Sequence, residues 1–218
     1  MKEFLRVAFD PEQCRREVSA FRDLLAGKTD LEENADIKPF FETHRHLAVF
    51  LGSYTWNITH FELLAFQYQL FGDYSCDVVV GDPVRKTYGF IEWEDATVGS
   101  LFRQQGKKAT PEWSARFEHG FGQIVDWFCK LDDMAPTDEF EARFGARHIQ
   151  YFGLLVAGRD EHLTHPREKR RWDWRSQKVL VNSLPIQCVT YDQLCQFLSD
   201  KLNVFYPLAG QAVEKGTG

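Results

Sequence analysis

The sequence has no C-x-x-C pair: its five cysteines, at 14, 76, 129, 188 and 195, stand apart. That spacing and the odd count argue against a disulfide framework and against a cysteine-built zinc site. Two close histidine pairs, His44/His46 and His162/His165, each lack a matching second pair of ligands. Also missing is any run of about 18 apolar residues, the minimum for a helix that crosses a bilayer. The amino terminus, "MKEFLRVAFDPEQC", is charged and has no apolar h-region, so no secretory signal is expected. A cytoplasmic location with reduced thiols follows as the expectation. There is no internal repeat and no low-complexity stretch beyond the "GTG" tail.

A net basic charge is absent too. The formal charge of −6 means that any polyanion must be met by a local patch, not by the whole surface. Two segments are rich enough in cations. "FRQQGKK" carries Arg103, Lys107 and Lys108, and "GRDEHLTHPREKRRWDWRSQK" carries Arg167, Arg170, Arg171, Arg175 and Lys178 with Trp172 and Trp174 interleaved. Such side chains neutralise phosphates and stack on bases, although a charge run is equally the composition of a solvated loop.

What the chain does have is length and aromatic mass. Its 218 residues, 44% hydrophobic and 15% aromatic, suffice for one principal domain with a sizeable core. "PEQCRREVSAFRDLLAG" reads as a helix opened by Asp10-Pro11 and closed at Gly27. "FFETHRHLAVFLG" reads as a second helix. The second half of "ITHFELLAFQYQLFG", the β-branched "CDVVVGD" and "YGFIEWED" read as three antiparallel strands joined by turns. A long helix is expected from Thr110 or Pro111 through Leu131, then a buried strand in "IQYFGLLVAGR", a basic loop, and a final strand and helix capped near Thr190. The economical architecture is mixed α/β: one central mixed sheet flanked by helices, with residues 1–40 as a helical extension and 41–212 as the main domain.

In "YGFIEWEDATVGSLF" the alternation of a half-buried strand runs into Glu92, Glu94 and Asp95. Alternation sets Tyr88, Phe90, Glu92 and Glu94 on one face. If the preceding hairpin turns near residues 84 and 85, position 77 pairs with about position 92, which brings Asp77 and Glu92 together where the strands end. Paired carboxylates of this kind can hold a hard divalent cation such as Mg²⁺, which keeps several waters and bridges to a substrate phosphate. Asp82 reads as a turn former before Pro83, Asp95 as a turn or cap residue, and Glu62 as a candidate fourth acidic contributor.

An Asp on the second strand, a Glu-x-(Lys or variant) on the third and a following helix bearing Gln resemble the PD-(D/E)xK nuclease superfamily, with a restriction-endonuclease-like core. More narrowly, "FGDYSCDVVVGD", "FIEWEDA", "GQIVDWF", "GLLVAGR" and "TYDQL", in that order over about residues 40 to 198, resemble the nuclease domain of Shedu anti-phage defence proteins. The resemblance implies a Mg²⁺- or Mn²⁺-dependent DNA endonuclease that self-assembles. It implies Asp77 and Glu92 as metal ligands and Gln123 as the helix glutamine, followed at i+4 by Trp127. Glu94 stands where the superfamily usually has lysine. It could act as a base or an extra ligand but cannot stabilise negative charge. Lys86, Lys107 or Lys108 are candidate sources of a displaced cation. DNA is the expected partner, with Lys107, Lys108, Arg170, Arg171 and Arg175 on its backbone. A homo-oligomer is expected from the resemblance and from the surplus of aromatics. Beside the endonuclease stand two other readings: a catalytically degenerate nuclease-fold module that binds nucleic acid or regulates a partner, and a structural protein with a merely solvated acidic strand end.

Overall fold

The computed structural model of the chain describes residues 3–107 and 110–207. Seven strands form one mixed sheet in the order β1-β2-β3-β4-β7-β9-β8: β1 Leu5–Arg6, β2 Leu63–Leu70, β3 Tyr74–Asp82, β4 Thr87–Trp93, β7 Gln150–Val156, β9 Leu184–Val189 and β8 Leu180–Val181. A separate two-stranded ribbon pairs β5 (Phe102–Arg103) with β6 (Glu112–Trp113). The pairs β2–β3 and β3–β4 are antiparallel, whereas β4–β7 and β7–β9 are parallel. The sheet is therefore the expected central mixed one, flanked by helices.

β4 lies in the middle and is buried along its whole length. The expected half-buried strand is instead covered on both sides, because parallel pairing with β7 requires a crossover through a helix that packs on the sheet. Its alternation still sorts the faces. Ile91 and Trp93 join one core with helices α1 (Pro11–Gly27), α2 (Lys38–Thr43), α3 (Arg45–Phe50) and α7 (Tyr191–Phe205). Tyr88 and Phe90 join the other, with α4 (Ala115–Met134), α5 (Asp138–Phe144) and α6 (Pro166–Lys178). These two layers absorb the aromatic surplus: of all the Phe, Tyr and Trp, only Trp56, Trp174 and Phe205 are exposed, so aromatic content alone gives no reason for self-assembly.

Several boundaries depart from the sequence expectation. The second helix is broken at His44 into α2 and α3. α4 opens at Ala115, not at Thr110 or Pro111, because Ser114 is the N-cap, its Oγ accepting the Phe117 N–H at 3.0 Å, while Glu112 and Trp113 pair in the ribbon. The basic loop is in fact helix α6, with Pro166 in its first turn, an N-cap at His165 and one buried residue, Trp172. α1 spans Pro11–Gly27 as read, with the Asp10 carboxylate accepting the N–H groups of Glu12 and Gln13. The amino-terminal segment adds β1 to the sheet and α1 to the first core, and the 40/41 boundary falls inside α2. Among the described residues no helix is long and apolar enough to cross a membrane.

Candidate active site

The β3–β4 ladder pairs Val78 with Ile91 and Asp82 with Thr87, so the hairpin turns about residues 84 and 85 and the same register sets Asp77 opposite Glu92. Both side chains lie just beyond the last ladder pair, on the α4 side of the sheet. There they line a cavity of about 560 Å³ together with Glu33, Lys38, Gln67, Ser75, Glu94, Arg116, His119 and Gln123.

Asp77 is held on every side. Its Oδ2 accepts the Trp93 backbone N–H at 3.0 Å, and its Oδ1 accepts from Gln67 Nε2 and from Lys38 Nζ, each at 2.7 Å. Gln67 stands opposite Asp77 at a gap in the β2–β3 ladder, in the left-handed backbone region at φ +48°. A non-glycine residue in that region carries strain that the surrounding contacts must offset, and such strain collects at functional sites. Glu92 accepts a hydrogen bond from Gln123 Nε2, so the glutamine singled out on the helix does reach the paired carboxylates. Burial, and then the charges of Asp77 and Glu94, push the Glu92 carboxyl up to about 10.

Glu94 lies one residue past β4, where its backbone N–H still donates to Val156 O at 2.9 Å and its carbonyl accepts the Tyr191 hydroxyl at 2.7 Å. α4 can approach it because position 120 is glycine: a Cβ there would stand 3.0 Å from Glu94 Cγ and 2.8 Å from Leu155 Cδ1. Burial, then the charge of Glu33, raises the Glu94 carboxyl to about 7, against the pull of Arg116. Arg116 lies 3.6 Å from Glu94 and 3.0 Å from Asp95, and the Asp95 carboxylate also accepts the Glu33 backbone N–H at 2.8 Å. Expected as a turn or cap residue of its own segment, Asp95 instead ties the end of β4 to the distant Glu33–Ile37 turn.

Other expectations resolve differently. Asp82 forms the turn, its carboxylate accepting the N–H groups of Val84, Arg85, Thr59 and His60. Glu62 pairs with Arg6 outside the pocket, and Lys86 lies against Gly145. Lys107 is exposed in the ribbon turn and Lys108 lies outside the described residues. The cations that do line the pocket, Lys38 and Arg116, belong to none of the motifs. Lys38 comes from a segment far upstream, and no spacing in the sequence connects it to Asp77.

The basic helix divides into two faces. Arg171 donates to Pro111 O and lies over the rings of Phe102 and Trp113, at 4.9 and 5.1 Å. Arg175 bonds Glu118 at 2.6 Å and lies 4.1 Å from the Phe121 ring. Arg171 thus clamps α6 to the ribbon, and Arg175 clamps it to α4. Arg170, Trp174 and Lys178, four residues apart, form the exposed stripe.

No curated protein matches the chain. The family described as "Shedu protein SduA, C-terminal" matches residues 30–195, a span that includes every residue lining the cavity. With well over half of its length and its whole carboxylate pocket inside that match, the chain belongs to the Shedu family, in the part described as the SduA C-terminal region.

Proposed function

We propose that the protein is a divalent-metal-dependent endonuclease of the PD-(D/E)xK type that cuts DNA in defence against phage. The observation that carries this reading is Glu92: a buried carboxyl beside a second carboxylate, hydrogen-bonded to an amide and not to a cation. Leaving it ionised is costly unless positive charge arrives. Among the described residues no three His, Cys, Asp or Glu form a ready metal cluster. The donor set that remains, two carboxylates, suits Mg²⁺ or Mn²⁺, which complete their shell with water and substrate phosphate. Asp77 and Glu92 would hold the ion, which when bound lowers the pKa of a water and offsets charge on phosphate oxygens.

The chain's own residues supply the rest. Gln67 and the Trp93 N–H fix Asp77, and Gln123 fixes Glu92. Hydrolysis adds water across a P–O bond. The water oxygen bonds to phosphorus, one water proton passes to the Glu94 carboxylate, the bond to the departing sugar oxygen breaks, and that oxygen takes a proton from solvent. Glu94, raised to about 7, is suited to accept and release such a proton near neutrality. The exposed stripe of α6 is the surface for the DNA backbone, and family membership supports self-assembly. Family membership also supports the defence role.

The test is incubation of the protein with linear and supercoiled DNA across Mg²⁺ and Mn²⁺, with Asp77→Asn and Glu92→Gln in parallel. Cleavage by the wild type alone, together with a metal-dependent rise in melting temperature that both variants lose, is the expected result. A second reading, a degenerate module that binds DNA without cutting it, draws on Glu94 at the position expected for lysine. Metal and DNA binding without cleavage under either ion would favour it.

A further inference from the structure

A phosphodiester is an anion, and this pocket is dominated by acids: among the described residues that line it, Glu33, Asp77, Glu92 and Glu94 face one lysine, Lys38, and one arginine, Arg116, beside the imidazole of His119. The two cations are not equivalent. Arg116 is half exposed and is committed to Asp95 at 3.0 Å, with Glu33 and Glu94 further off. Lys38 keeps 21% of its side chain exposed, and its ammonium bridges Asp77 at 2.7 Å and Glu33. An ammonium has three N–H donors, and these two acceptors account for two of them.

The segment that delivers Lys38 is anchored to the strand end that carries the acids. Leu31 pairs with Ala96 just past β4. The Glu33 N–H is held by the Asp95 carboxylate. One π-helical turn, Glu33–Ile37, then leads directly into α2, with Lys38 as its first residue and Ile37 buried. Glu33 and Lys38, five residues apart, are one π-helical repeat apart, which places the acid beside the ammonium. A surface lysine would hold its position loosely, whereas this one is fixed by a backbone bridge, a capped turn and two carboxylates.

We propose that Lys38 is the phosphate-binding cation of this pocket, with Glu33 as its positioning residue: its third N–H holds a non-bridging oxygen of the DNA phosphate placed beside Asp77 and Glu92. This rests on the nuclease reading for the identity of the ligand. Glu33 keeps the ammonium in place when positive charge at Asp77 weakens the bond between Lys38 and that carboxylate. A lysine adapts to such a change because it is a point charge on a flexible stem, so the fixed fork of an arginine is not an equal replacement.

The experiment measures three quantities on the full chain for wild type, Lys38→Met, Lys38→Arg and Glu33→Gln: duplex DNA affinity by fluorescence anisotropy across salt in Ca²⁺, Mn²⁺ affinity by calorimetry, and cleavage rate in Mn²⁺. Lys38→Met is expected to weaken DNA binding by about tenfold and reduce the salt slope by about one. It should also lower kcat by about 100-fold, the cost of losing one positioned donor to developing charge. Its Mn²⁺ affinity should stay the same or rise, since the ammonium no longer competes for Asp77. Lys38→Arg should restore the salt slope but only part of kcat.

A purely structural lysine would make metal affinity and DNA affinity fall together, and that outcome overturns the proposal. So does a Lys38→Met protein with wild-type salt slope and rate. Wild-type protein that binds DNA but never cuts ends the hydrolase reading, while the salt slope still decides the role of Lys38. Should Lys38→Met fail to fold, Glu33→Gln decides: kcat must fall with Mn²⁺ affinity unchanged, and an unaltered kcat refutes the assignment.

Discussion

The carboxylate of Asp77 accepts the backbone N–H of Trp93 at 3.0 Å across the mouth of the β3–β4 hairpin. Beyond the last ladder pair, Val78 with Ile91, a side chain thus takes over the role of a backbone acceptor and keeps the two strand ends together. The pocket is built on this one bond: Glu92 and Glu94 flank the residue that donates it.

Glu92→Gln should stabilise the metal-free protein. Burial and the neighbouring Asp77 raise the folded carboxyl to about 10 from an ordinary 4.5, so the folded state binds the extra proton between those values. The contribution of Glu92 to stability is complete below about 4.5 and is lost as pH rises toward 10. An amide of the same shape has no such loss. Thermal melts in EDTA should show the variant above wild type at pH 8, by about 2–4 °C for each kcal/mol recovered, with the gap closing toward pH 4.5. A variant that melts below wild type at pH 8 contradicts this account.

Gly120→Ala sets two effects against each other. Alanine gains about 1 kcal/mol of helix propensity over glycine. The added methyl, however, would stand 2.8 Å from Leu155 Cδ1 and 3.0 Å from Glu94 Cγ in a packed core, and overpacking of this kind costs about 1–3 kcal/mol. We expect a net loss of about 1 kcal/mol in denaturant unfolding, accompanied by reduced cleavage because Glu94 is displaced. Full stability with full activity would mean that α4 recedes freely.

Asp82→Ala should be costly at neutral pH. Its buried carboxylate accepts four backbone N–H groups, and these, with His60, hold its carboxyl well below the usual carboxylate range against the opposing effect of burial. A depressed carboxyl stabilises above its ordinary value near 3.8 and loses that contribution as pH falls below it. Charged hydrogen bonds of this kind contribute about 1.5–3 kcal/mol each before desolvation is subtracted. Loss of at least about 2 kcal/mol at pH 7, shrinking in acid, is expected from urea titrations. Asp82→Asn should lie between the two.

The arginines of α6 should separate by face. Arg175→Ala removes the bond to Glu118 and the cover over Phe121, so it should lower the melting temperature. Arg170→Ala and Lys178→Ala should leave melting unchanged and each reduce the salt slope of DNA binding by about one. Equal slopes for all three variants and wild type would exclude α6 from the DNA surface.

The long-period features were legible in the sequence because local chemistry specifies them. Asp10-Pro11 and Gly27 bounded α1, β-branched and aromatic alternation gave β2, β3 and β4, and hairpin symmetry placed Asp77 opposite Glu92. Gln123 was legible only through the family resemblance, because its helix carries many other polar residues and nothing in their spacing sets this one apart. α6 was not, because its helix is stabilised by one buried Trp172 and by arginine stems lying on the aromatics of α4 and the ribbon, contacts that leave no apolar period. That helix presents Arg170 to solvent and buries the stems of Arg171 and Arg175, a division that composition cannot express.

The sequence by itself determined that Asp77 and Glu92 converge, since register within a hairpin is a local property, but it did not show that Glu33, and not Glu62, joins them. Only the tertiary structure decided which cations meet them. Lys38 and Arg116 reach the pocket through the Leu31–Ala96 bridge and the packing of α4 at Gly120, contacts between segments distant in the chain. The charge on Glu92 and Glu94 was likewise decided there, because it depends on how much water the helices on the α4 side exclude, and burial is a property of the assembled fold.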